Sequence, residues 1–180
     1  GYATLYGDTI GALSIIGDLS KVEVFDLAKE INAYFAKEVV PYNLIPQVDN
    51  YRITFDMAPS AELKSDQKDP MKWYYHDLLV ELILIESIGH ILDLYLENQF
   101  QDLEIGLWLD FYDLRVGKNF LEDFNWFVRT FEINNFKRLQ MPPVLAFSNS
   151  VINRDYLDSA LLTPKSLARL ELEDLILAKY

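Results

Sequence analysis

The chain is 180 residues long, enough for one domain with its own core and too short to read as two. Apolar residues make up 51% and aromatics 14%, which excludes a disordered polar chain, and no apolar run reaches the roughly 18–20 residues a bilayer-crossing helix needs. A net charge of −12, from 16 basic and 28 acidic residues, excludes the basic face that nucleic acid or an anionic membrane requires, and the lack of cysteine excludes disulfides, thiolate nucleophiles and thiolate metal ligands.

The first stretch, GYATLYGDTIGALSIIGDLSK (Gly1 to Lys21), holds small apolar runs around Tyr6-Gly7-Asp8 and then leads straight into a helix. Ser20-x-x-Glu23 is a capping box. Val24, Leu27, Ala28, Ile31 and Phe35 follow at helical spacing until Pro41 ends the pattern by Val40. Arg52 to Met57 alternates polar and apolar residues as a short strand does, and Pro59 to Pro70 reads as a polar loop. Tyr74 to Asn98 is helical again, with Ser87 restarting a second helix through Ile91, Leu94 and Tyr95. Asn119 to Phe136 is the clearest amphipathic helix, with Asn119 as its cap, Glu122 three residues on, and Phe120, Phe124, Phe127, Val128 and Phe131 on one face. Pro142-Pro143 forces an extended segment, and Thr163-Pro164 opens a final helix. The expected fold is mostly α as a fragment; the trailing half of an α/β domain gives the same pattern.

Lys21 stands in the first turn of a helix, where the dipole is already positive. An anion such as a phosphate between the ammonium and the first amides resolves that conflict; an ordinary exposed lysine is the plainer alternative. Asp8 either coordinates a metal or holds its turn through an Asx bond, and the turn is favoured. His76 and His90 are too far apart for the i, i+4 pairing of zinc enzymes, so no metal site is expected on them. Asp77, Glu81, Glu86, Asp93 and Glu97 read as a solvated helix face, and the aromatic stripe from Phe120 to Phe131 as core or interface.

Three separated motifs, YATLYGD-x3-ALS-x3-DLSK (Tyr2 to Lys21), PSAELKSDQ (Pro59 to Gln67) and FKRLQMPP (Phe136 to Pro143), resemble in order and spacing the C-terminal part of the synthetase domain of NAD synthetases, most closely the glutamine-dependent enzymes of bacteria. DPMKWYYHDLL (Asp69 to Leu79) also looks like the family's segment after PSAEL, so the resemblance runs from Gly1 to about Gln140. It implies the C-terminal portion of an α/β, adenine nucleotide alpha hydrolase-like (ATP-pyrophosphatase) domain. In that family the domain adenylates the nicotinate carboxylate of deamido-NAD with ATP and Mg2+, and ammonia, which an upstream nitrilase-like domain supplies from glutamine in the glutamine-dependent enzymes, then displaces AMP to give NAD.

The chain contains neither the family's SGGxDS phosphate loop nor a cysteine for a nitrilase centre. The resemblance therefore implies a single domain fragment over 1–180, whose other half and metal ligands lie in an N-terminal part of the same polypeptide. The fragment alone is expected to be inactive, with no catalytic residue of its own, and the full protein to be a cytoplasmic homo-oligomer.

Residue by residue, Lys21 matches an ATP-contacting lysine and Ser60 the place of a hydroxyl that contacts ATP, although Ser60 also suits a local cap before Glu62. Lys137 matches a lysine associated with deamido-NAD, with Arg138 beside it; both also suit the negative end of a helix dipole. Ala12 departs from an aspartate that contacts deamido-NAD in some relatives, and Ser148-Asn149-Ser150-Val151-Ile152-Asn153 departs from a basic, glycine-containing run. Those departures leave open a helical scaffold or oligomerisation module derived from the same family.

Overall fold

Serine side chains open three of the five α-helices found among the described residues. The computed structural model describes residues 11, 13–54, 56, 70–134, 142–147 and 165–180. Helices α1 (Lys21–Phe35), α3 (Ile88–Leu96) and α5 (Leu167–Lys179) follow Ser20, Ser87 and Ser166, whose hydroxyls each accept the N–H three residues on at 3.2 Å. Ser20 also donates its N–H to Glu23 Oε2 at 2.7 Å, completing the expected capping box. The expected restart at Ser87 is likewise present, separating α3 from α2 (Tyr75–Ile85). The last helix is opened by Ser166, which is extended (ψ 157°), rather than by the expected Thr163-Pro164, which lie outside the described residues.

Two other boundaries differ from the periodicity, each for a local reason. α1 stops at Phe35 rather than Val40 because Ala36 turns left-handed (φ 48°) and the buried Asn32 captures the chain beyond it. Asn32 Oδ1 accepts the N–H groups of Val39 and Val40, and its Nδ2 donates to the Val40 carbonyl, all at 2.8 Å. α4 (Gly117–Ile133) starts two residues before Asn119, with Val116 as its cap residue. Asn119 instead donates to the carbonyl and carboxylate of Asp113 at 3.0 and 2.9 Å. Glycine suits the first turn because a β-carbon there would stand 2.9 Å from the Ile176 carbonyl of α5.

The strand expected near Arg52 is β2 (Arg52–Thr54), and it pairs antiparallel with an unforeseen β1 (Gln47–Asp49). The register is Gln47 to Thr54, Val48 to Ile53 and Asp49 to Arg52. Asn50 and Tyr51 both have positive φ (46° and 57°), the signature of a two-residue mirror-image turn. The Tyr51 ring meets Trp108 edge-on at 5.6 Å, and Trp108 stacks on Tyr74 at 4.5 Å. The architecture of the described residues is therefore mostly helical with one small sheet.

The core lies between α2, α3, α4 and α5. Phe120 and Phe124, both fully buried, lie on the α4 face that the periodicity marked, as do Phe127 and Val128. Tyr95 of α3 stacks on Phe120 with centroids 3.6 Å apart, and its hydroxyl donates to the Leu114 carbonyl at 2.8 Å. α5 buries Ile176, and Arg169 ties it to α4 by donating to Asn125 Oδ1 at 2.6 Å. α1 contributes less: of its apolar residues only Phe25 is buried, while Leu27 and Phe35 of the predicted stripe remain exposed. Phe120→Ala should lower unfolding stability by about 3–5 kcal/mol, read from the urea midpoint and slope, because it opens a cavity inside the aromatic stack.

Candidate functional site

A cavity of about 290 Å³ opens where the chain enters α1, between the Gly17 to Lys21 loop and the first turns of α2. Among the described residues its wall carries one cation, Lys21, and the carboxylates of Asp18, Glu23, Asp77 and Glu81. Such a wall does not attract polyphosphate by net charge. Any anion-directed chemistry at this cleft depends on where the Lys21 ammonium stands.

The first turn of α1 is already saturated by the chain itself. The Lys21 N–H donates to Asp77 Oδ1 at 3.0 Å, the Val22 N–H also reaches the Asp77 carboxylate, and the Glu23 N–H is held by Ser20. The anion expected at this helix start is therefore Asp77, and the amides are not available to a phosphate. Asp77 Oδ2 meanwhile accepts the Tyr74 N–H at 2.9 Å, so one carboxylate closes the amino ends of two helices. Burial pushes the Asp77 carboxyl above its ordinary value, and the N–H donors of Tyr74, Lys21 and Val22 offset only part of that. Asp77 is thus no member of a solvated face; Glu81, Asp93 and Glu97 are exposed as expected.

Freed from the amides, the Lys21 ammonium lies 5.3 Å from the centroid of Phe25 and 5.9 Å from that of Trp73, two rings that themselves meet at 4.9 Å. Ring faces stabilise an ammonium without neutralising it. Trp73 is fixed in turn by its carbonyl, which accepts the Tyr112 hydroxyl at 3.0 Å.

The loop before α1 is held by the tail of the third sequence motif. Ser14 donates to the Pro143 carbonyl at 2.8 Å, Leu145 donates to the Ser14 carbonyl at 2.9 Å, and Asp18 accepts the Phe147 N–H. This is a parallel bridge between Ser14 and Val144. Gly17 allows it: a β-carbon there would stand 2.4 Å from Ser14 Oγ and 3.1 Å from Val144 Cγ2. The first and third motifs thus meet at the rim of the cleft that Lys21 lines. Ser60, Lys137 and Arg138 lie outside the described residues, as do Asp8 and Ala12.

A second polar centre was not anticipated. His76 is fully buried; its Nδ1 accepts the Lys72 N–H at 2.8 Å, which leaves the ring proton on Nε2 to donate to Asp123 Oδ2 at 2.9 Å. The Lys72 ammonium pairs with the other Asp123 oxygen. The signal was present in the sequence, because Asp123 interrupts the apolar face of α4 between Phe120 and Phe127, and a charge on such a face needs a buried partner. His90 is exposed, 3.7 Å from Glu86. Among the described residues no group of three or more His, Asp or Glu side chains is placed to hold a metal ion, and no helix among them is long and apolar enough to cross a membrane.

The cleft at Lys21 and the bridge that braces its loop are the geometry of the candidate site, and comparison with known proteins gives the family. The NAD synthase family model matches residues 1–101, and the chain belongs to that family. It is similar to the glutamine-dependent NAD(+) synthetase of Thermotoga maritima, 33% identical over 105 residues, covering 58% of this chain and 15% of that protein. The glutamine-dependent NAD(+) synthetase of Acinetobacter baylyi is 38% identical over 79 residues, or 44% of this chain and 13% of that protein. The NH(3)-dependent NAD(+) synthetase of Wolinella succinogenes is 40% identical over 81 residues, or 43% of this chain and 24% of that protein. The chain therefore spans a quarter or less of the length of these relatives. No solved structure matches it.

The Asp123 centre makes a pH dependence testable. Burial pushes its carboxyl up, but the His76 hydrogen bond and the Lys72 ammonium outweigh that and hold it below the ordinary carboxylate range. A native value below the unfolded one, about 3.9, gives stability that is complete above the unfolded value and lost as pH falls through the native value. Asp123→Asn should cost about 1–3 kcal/mol at pH 7 and flatten the acid limb of thermal stability between pH 2 and 5.

Proposed function

We propose that this chain is the C-terminal portion of the synthetase domain of an NAD synthetase, which amidates deamido-NAD to NAD at the expense of ATP. The nicotinate carboxylate attacks the α-phosphorus of ATP and pyrophosphate leaves, and ammonia then displaces AMP from the resulting acyl-adenylate to form the amide. Lys21 carries the reading: on the wall of the 290 Å³ cleft it forms no salt bridge with a carboxylate among the described residues, its amide held elsewhere and its ammonium resting on two ring faces. From there it contacts ATP through its side chain alone and stabilises charge on the phosphate during adenylyl transfer.

Ser60 adds a hydroxyl to ATP, and Lys137 with Arg138 holds deamido-NAD, their motif ending in the Pro143 carbonyl that braces the Lys21 loop. On this reading the SGGxDS loop and the Mg2+ ligands are supplied by an N-terminal part of the same polypeptide, as the resemblance of the three motifs to the C-terminal part of the synthetase domain implies. Glutamine is the nitrogen source, through an upstream nitrilase-like domain, and the assembled enzyme is a cytoplasmic homo-oligomer. The isolated chain is catalytically silent. NAD formation when it is mixed with ATP, magnesium, deamido-NAD and ammonia would overturn that statement.

The second reading is a helical scaffold that no longer serves a nucleotide, favoured by Ala12 and by the Ser148 to Asn153 run. Lys21→Ala in the longer synthetase separates the two. A loss of roughly 100-fold in kcat/KM for ATP is expected of an adenylyl-transfer lysine, whereas unchanged KM and kcat point to the scaffold.

A further inference from the structure

We infer that Asp77 is the positioning residue for Lys21: its carboxylate locks the first turn of α1 onto the start of α2 and so sets where the Lys21 ammonium stands. This rests on the reading of Lys21 given above.

Three observations carry it. Asp77 is 56 residues from Lys21 in sequence, yet its Oδ1 takes the Lys21 N–H at 3.0 Å, with Val22 beside it. Its Oδ2 takes the Tyr74 N–H at 2.9 Å, next to Trp73, whose ring forms half of the ammonium's rest. α1 also meets this region through Phe25 against Trp73 at 4.9 Å, a ring pair that tolerates sliding. A bidentate carboxylate on two backbones does not tolerate it. Removing Asp77 therefore frees both the backbone that carries Lys21 and the backbone that carries Trp73. Asp77 itself contacts no substrate in this arrangement; it acts through Lys21.

The test is a double-mutant cycle in the longer synthetase, with hydrogen exchange as a readout independent of turnover. Asp77→Ala should raise KM for ATP on the order of 10- to 100-fold, the scale of a small misplacement of a catalytic group. Asp77→Asn keeps the shape of the side chain and one acceptor oxygen but sets an NH2 donor against the other backbone N–H, so it should recover only part of that loss, and it guards against a variant that merely fails to fold. In a Lys21→Ala background, Asp77→Ala should add nothing further. Amide exchange at Lys21 and Val22 should accelerate in Asp77→Ala and stay slow in Lys21→Ala, whose backbone N–H remains. An Asp77→Ala effect that persists in full in the Lys21→Ala background would overturn the inference, as would unchanged exchange at the two amides. If Lys21→Ala itself leaves ATP kinetics untouched, the proposed ATP role falls and the inference with it. If Lys21→Ala matters and Asp77→Ala does not, only the positioning role falls.

Discussion

The carboxylate of Asp77 joins parts of the chain that no hydrophobic surface would hold in register. α1 buries only Phe25 and Asn32, so its axis is set less by apolar area than by what satisfies its first turn. Two backbone N–H groups of α1 and one at the start of α2 converge on that single acidic group. A charge at this position gains from both helix dipoles while partial burial raises the cost of ionising it. The cleft beside Lys21 exists because those two helix starts are held together.

Behind this junction the molecule relies on a different economy. Stacked rings of Tyr95, Phe120 and Phe124 fill the space between α3 and α4, and α5 covers them with Ile176. The one ionised group that enters the apolar face of α4, Asp123, is satisfied by His76 and Lys72. Both ligands come from the segment that also carries Tyr74 and Asp77. The core thereby fixes the start of α2, and the start of α2 fixes α1.

Membership of the NAD synthase family accounts for the first 101 residues. The relatives include enzymes named for glutamine and enzymes named for NH(3). The pairing of Ser14 with Pro143 and Leu145 draws a later part of the chain onto the matched region, which the order of motifs alone does not require.

Local chemistry was legible wherever neighbours in sequence settle it. The capping box at Ser20 and Glu23, the restart at Ser87, and the buried face of Phe120, Phe124, Phe127 and Val128 need only residues three or four apart. Other features were decided by partners that no spacing reveals. Asn32 ended α1 early by binding Val39 and Val40, the contact with α5 placed Gly117 in the first turn of α4, and a mirror-image turn at Asn50 and Tyr51 created β1. Most of all, a capping serine can be read from its own helix, but which distant carboxylate answers the amides beside Lys21 cannot. Periodicity reports the side of a helix that seeks cover; hydrogen bonding across 56 residues depends on the packed arrangement that brings donor and acceptor within 3.0 Å.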